Sequence, residues 1–177
     1  MTNESSEIDL SKQELREVAG YAAECARHVL PIFESNRPAD PRCREAVYAA
    51  AMFASGGQRS KSLRDSAWAA NKAAREVDAA AARHAARAAA HAAAAAYLHP
   101  LADAHQVKHI LGAGAHAARA VELSVSDNER AGAENLEHAR LRATSTVVAV
   151  LERYPAAPLG GGRVGELLRD LDASLRR

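Results

Sequence analysis

Aromatic side chains are scarce in this 177-residue chain: one tryptophan, two phenylalanines and four tyrosines. Strand-rich architectures, which draw on aromatic and β-branched residues, are thereby disfavoured. Cysteine is almost absent, and Cys25 and Cys43 make neither a CxxC pair nor a disulfide framework, so they read as small buried hydrophobes in a reducing compartment. Long apolar runs are missing too. The longest, Ala92 to Leu98, falls far short of the roughly 20 residues that a membrane span needs, and the N-terminus has no apolar signal core. A cytoplasmic location is the expectation. No sign of charge dominates: 23 basic residues face 22 acidic ones, with no net drive toward nucleic acid or an anionic membrane. P-loop, GxSxG and dinucleotide-binding fingerprints are all lacking, and no cofactor is called for.

Alanine, by contrast, supplies about a quarter of the chain. A core of such small side chains requires closely packed helices, and the periodicity predicts an all-α, single-domain bundle of six to seven antiparallel helices over residues 11–177, behind a frayed segment 1–10. Ser11 and Glu14 form a capping-box pattern for a first helix reaching Phe33, with Pro31 bending or ending it. Asp40-Pro41 starts a second helix that stops at Gly56-Gly57. A third begins near Ser60; the pattern then runs unbroken to His99-Pro100 and is divided at Asp78, an internal N-cap. Further helices are expected over 101–123, 127–154 and 164–175. The last carries Val164, Leu167, Leu168, Leu171 and Leu175 as one packing stripe. Gly160-Gly161-Gly162-Arg163 before it reads as a flexible linker rather than an anion cradle.

Candidate functional residues concentrate around two features. In the helix over 101–123, His105, His109 and His116 share the face opposite Val107, Ile110, Leu111, Gly114 and Ala118, flanked by Gly112, Ala113 and Ala120. Solvated surface and a pocket wall are both open readings. His105 and His109, four residues apart, can reach one point, and with Tyr97, and with Asp103 to orient them, could perform acid–base chemistry, while His99 lies just before them. A zinc site lacks a third ligand, and no metal is assigned. His84 and His91, with Arg83 and Arg87, read as a solvated polar arc. The second feature is Trp68, which lies opposite the Leu63, Ala67, Ala70, Ala74 stripe and among Lys61, Asp65, Lys72 and Arg75. Such a tryptophan is either covered by another helix or anchors a partner or ligand.

Ala96-Tyr97-Leu98-His99-Pro100-Leu101-Ala102 and His105-Gln106-Val107-Lys108-His109-Ile110-Leu111-Gly112 resemble a family of small all-helical bacterial immunity proteins associated with polymorphic toxin systems. The likeness extends to Val29–Glu34, Arg64–Trp68 and Arg153-Tyr154-Pro155, so it spans nearly the whole chain. It brings no established catalytic residues, and Asn71 stands where similar proteins are expected to carry histidine. The resemblance implies a helical binding protein that occludes a cognate toxin, with Trp68, Asp65 and Arg64 as the anchor patch. The alternative is a small-molecule-binding protein or enzyme of isomerase, lyase or cyclase type, using Tyr97, His99, His105, His109 and His116 around a pocket. The alanine faces also accommodate a homodimer.

Overall fold

Ser11 opens the first helix as its spacing predicts. Its hydroxyl accepts the Glu14 amide while the Glu14 carboxylate accepts the Ser11 amide at 2.8 Å, and this closed capping box starts α1, Lys12–Asn36. Pro31 lies inside α1 without ending it. The computed structural model describes residues 6–177 and continues through α2 (Arg42–Ala54), α3 (Lys61–Glu76), α4 (Ala80–Ala94), α5 (Val107–Ser124), α6 (Glu129–Arg142), α7 (Ser145–Leu151) and α8 (Gly162–Leu175). Single 3-10 turns at Ala95–Tyr97 and Ala104–Gln106 separate α4 from α5. The fold is all-α, and no described helix is long and apolar enough to cross a membrane.

The middle of the fold is α4, which packs against α1, α2, α3 and α5. A helix with neighbours on so many sides has almost no solvent arc, and Ala82, Ala85, Ala86, Ala89 and Ala93 are each completely buried. Methyl groups here let the helices approach; larger side chains would hold them apart and strain a close-packed interior. α5 is built on the same rule: every residue from Ile110 to Ala118 is buried. At Gly112 a Cβ would stand 2.6 Å from His91 Nδ1, so only glycine admits that imidazole.

Several boundaries differ from the sequence expectation. Asp78 caps nothing with its side chain; Ala79 precedes α4, and the Asp78 carbonyl instead accepts Arg83. The span 127–154 forms two helices, which brings the count among the described residues to eight. Thr144 accounts for the break, because its hydroxyl accepts the Val147 amide at 3.3 Å and caps a new helix. Residues 6–10 are pinned rather than frayed, while 1–5 lie outside the described residues. Ile8 is buried and donates its amide to Pro100 at 2.9 Å, Ala102 donates to Ser6 at 3.0 Å, and Arg153 donates to the Asp9 carbonyl at 2.7 Å. Burying the Ile8 side chain between those backbone bonds is what holds the segment.

The glycine run before α8 is no free linker either. Gly160, Gly161 and Gly162 all have positive φ, and the Gly160 carbonyl accepts Arg169 at 2.8 Å. Arg163 reaches across to Glu122, whose carboxylate is wholly buried in α5 and also takes Arg119 at 2.7 Å; the Arg163 Nη2 distance is 2.6 Å. Gly132 of α6 leaves no room for a Cβ against the same Glu122 side chain. One carboxylate thus ties α5 to α8 beneath α6. Removing its charge takes the buried partner from Arg119 and Arg163, which keep only the more exposed Asp127 and Glu166, so Glu122→Gln is expected to lower unfolding free energy by about 2 kcal/mol in urea titrations, and Arg163→Gln by less, because Arg119 still neutralises Glu122.

Candidate functional site

Where α4 gives way to the Ala95–Tyr97 turn, the surrounding helices part and leave a cavity of about 770 Å³ bounded by α3, α4 and the first turn of α5. Ala67, Ala90, Ala94 and Leu98 form its apolar wall. Trp68 stands at the same cavity with 63% of its surface exposed, so no helix covers it. This size falls in the range of sites that enclose a ligand or a partner's side chains.

The charged lining has one sign. Arg59, Arg64 and Lys108 face the cavity, and among the described residues no carboxylate does. None of the three makes an ion pair among the described residues. An even tally over the whole chain therefore conceals a local cationic surface. Tyr97 organises it: the Arg64 and Arg59 guanidinium carbons lie 4.9 and 5.5 Å from its ring centroid, and its hydroxyl donates to the Ser60 carbonyl at 2.7 Å. Ser60 is also the N-cap of α3, accepting the Leu63 amide at 3.3 Å, so the start of that helix and the tyrosine are fixed together.

Histidines complete the wall. His109 lines the cavity with its Nδ1 buried and without a hydrogen-bond partner, and burial, then the nearby Lys108 charge, lowers its pKa. His91 also lines the cavity. Behind it, the His91 and His116 rings stack at 5.0 Å and the His116 and His84 rings at 5.2 Å, with His84 Nδ1 3.0 Å from His116 Nδ1. That short contact needs one neutral acceptor, which disfavours protonating both rings. Burial holds His84 and His91 down to about 4, and His116 well below the ordinary histidine value. His84 and His91 are therefore half-buried and packed against the His116 ring rather than spread along a solvated arc. The physical reason is the small-residue face of α5, where Gly112 admits an imidazole from the facing helix.

Of the residues singled out in the sequence, the cavity collects Trp68, Arg64, Tyr97, His99 and His109. Asp65 is paired with Lys61 at 2.7 Å and does not line it. His105 is exposed on the Ala104–Gln106 turn and lies outside the lining, and Asp103 caps the His105 amide at 2.8 Å rather than orienting an imidazole. His116 sits behind the wall in the stacked column. The Tyr97 hydroxyl proton is committed to Ser60, so this group is poorly placed to serve a substrate. Sequence reasoning missed Arg59, Lys108 and the inward placement of His91, and Asn71 joins the lining. Among the described residues, no group of three or more His, Cys, Asp or Glu is arranged to hold a metal ion.

The family model described as "Imm-5 like putative immunity protein" matches residues 9–144, a span that contains every residue of the cavity wall. The chain belongs to that family. Helices α7 and α8 lie beyond the matched span. No curated protein and no solved structure matches the chain.

The histidine column sets a pH dependence whose sign is fixed. With folded-state pKa values near 4 for His84 and His91, against 6.5 for the unfolded chain, unfolding takes up protons between those values. Stability is therefore intact above pH 6.5 and is lost progressively as the pH falls toward 4. At pH 5, the pH dependence of the unfolding free energy is expected to report uptake of about three protons, falling by about one in His116→Leu. A flat profile between pH 6.5 and 4.5 would contradict a buried neutral column.

Proposed function

We propose that this protein gives immunity by binding a cognate toxin and covering it, with Trp68 and the cationic cavity beside it as the contact surface. Membership of the immunity-protein family supports the partner class. The observation that carries the location is the exposure of Trp68, the single tryptophan of the chain, beside Tyr97, Arg59 and Arg64. Tryptophan, tyrosine and arginine are the residue types that dominate binding energy when a partner excludes water around them. The surface is also preorganised: Tyr97 is held by Ser60 and flanked by two guanidinium groups, so little side-chain freedom remains to be lost on contact. Binding by occlusion requires no group of the surface to change its bonds, in keeping with a tyrosine hydroxyl partnered inside the protein.

Any toxin domain found encoded beside the gene provides the test. Co-expression with the cognate domain is expected to restore growth, and calorimetry to show a complex that Trp68→Ala weakens by at least about 30-fold, or about 2 kcal/mol. The unfolding midpoint of that variant should stay close to the parent's, because most of the Trp68 surface is exposed to solvent. Failure of every neighbouring toxin domain to bind would remove the immunity reading, and an unchanged affinity for Trp68→Ala would remove this surface from it.

A further inference from the structure

We infer that the cavity beside Trp68 receives an acidic side chain, carried next to an apolar residue on a segment of the partner. The identity of that partner as a toxin rests on the function proposed above; the chemistry of the insert rests on the cavity alone. Arg59, Arg64 and Lys108 face a common space that no carboxylate among the described residues lines. A basic or neutral insert would leave these charges opposed or unpaired as water is expelled, whereas a carboxylate makes charge-assisted hydrogen bonds to them. The Tyr97 ring lies within cation–π distance of both guanidinium groups and holds them at the cavity, and Arg59 spends one donor on the Ala96 carbonyl at 3.3 Å. Their remaining N–H edges are free for a planar acceptor. His109 Nδ1, buried and unpartnered, is a further polar atom in the same wall.

The second half of the insert follows from the opposite wall. Ala67, Ala94 and Leu98, with the exposed face of Trp68, offer an apolar surface that a lone inorganic anion cannot use. About 770 Å³ is more than one carboxylate side chain fills, and leaves space for an adjacent leucine-sized group. The other large cavity, beneath α1 and α2, differs in kind: Arg16, Arg27 and Arg142 line it together with Glu17 and Glu24, so its charges oppose one another. Selectivity for an acidic segment belongs to the Trp68 cavity.

Acetyl-Leu-Asp-Leu-amide and acetyl-Leu-Asn-Leu-amide separate charge from shape, with Trp68 emission and calorimetry as readouts on the full chain. The aspartyl peptide is expected to bind saturably at or below about 10 mM, at least about tenfold more tightly than the asparaginyl one, and more weakly in 0.5 M sodium chloride. Arg64→Gln and Lys108→Gln should each lower the affinity several-fold without moving the unfolding midpoint. Equal binding of the two peptides would show an apolar slot with no charge selection, and would overturn the inference. So would a saturable response to inorganic phosphate of the same strength, which would make the cavity a small-anion site, or no saturable response to the aspartyl peptide. A toxin that binds while the aspartyl peptide does not would leave the immunity reading standing and this inference refuted.

Discussion

Four helices converge on α4, and little more than a methyl group fits between them. Close approach of α4 to α1, α2, α3 and α5 replaces the bulky interdigitation of an aromatic core with many short van der Waals contacts between backbones and alanine side chains. The larger apolar groups, Phe33, Phe53, Leu98, Ile110 and Leu111, are fully buried in the spaces that remain. Longer polar side chains on α4 have a place only where the facing helix recedes. Gly112 provides one such place, and His91 occupies it; the stacked imidazoles are thus a consequence of the spacing that alanine imposes. The same spacing explains the cavity. At its C-terminal end α4 tightens into a 3-10 turn, its neighbours no longer follow it, and Tyr97 marks the place where the close packing stops.

A balanced composition says little about the surface a partner meets. Eight acidic groups among the described residues are paired with a basic side chain three or four residues away, as Glu24 is with Arg27, Asp65 with Lys61, and Glu137 with Arg140. Pairs of this kind at three- and four-residue spacing leave no field at a distance. Arg59 and Arg64 escape because the face of Tyr97, rather than a carboxylate, takes up their guanidinium groups. An aromatic ring holds a cation without cancelling its charge, and that is how an electrically even chain presents a cationic cavity.

Local chemistry made much of the fold legible. Ser11 with Glu14 and Ser60 before α3 act as the caps their spacing indicates, Cys25 and Cys43 are buried free thiols, and Trp68 lies off the buried stripe of its helix and is exposed. Where the outcome depends on a partner helix, the single-helix pattern misleads. His84 and His91 read as a solvated arc because nothing on α4 itself reveals that α5 presents Gly112 and His116 to them. Thr144 stands in the short polar stretch Arg142-Ala143-Thr144-Ser145-Thr146, with no glycine or proline to mark the break, and Asp78 resembles a cap that the chain instead leaves to Ala79. The site was half legible for the same reason: Tyr97, His99 and His109 come from the stretches on which the family resemblance rests, whereas Arg59 reaches the cavity from the α2–α3 connection, with no periodic signal to place it.

Glu122 and Arg163 are 41 residues apart, so the buried carboxylate has its second partner only in a chain that already carries the start of α8. When α5 is first made, its carboxylate has only Arg119, three positions earlier on the same helix, to meet it. Burial of Glu122 beneath Gly132 becomes well compensated only once the glycine turn and the start of α8 have emerged and Arg163 swings back. Without that second partner the buried carboxylate is only half compensated, so the closing of α6 over α5 draws part of its stability from a residue at the far end of the bundle.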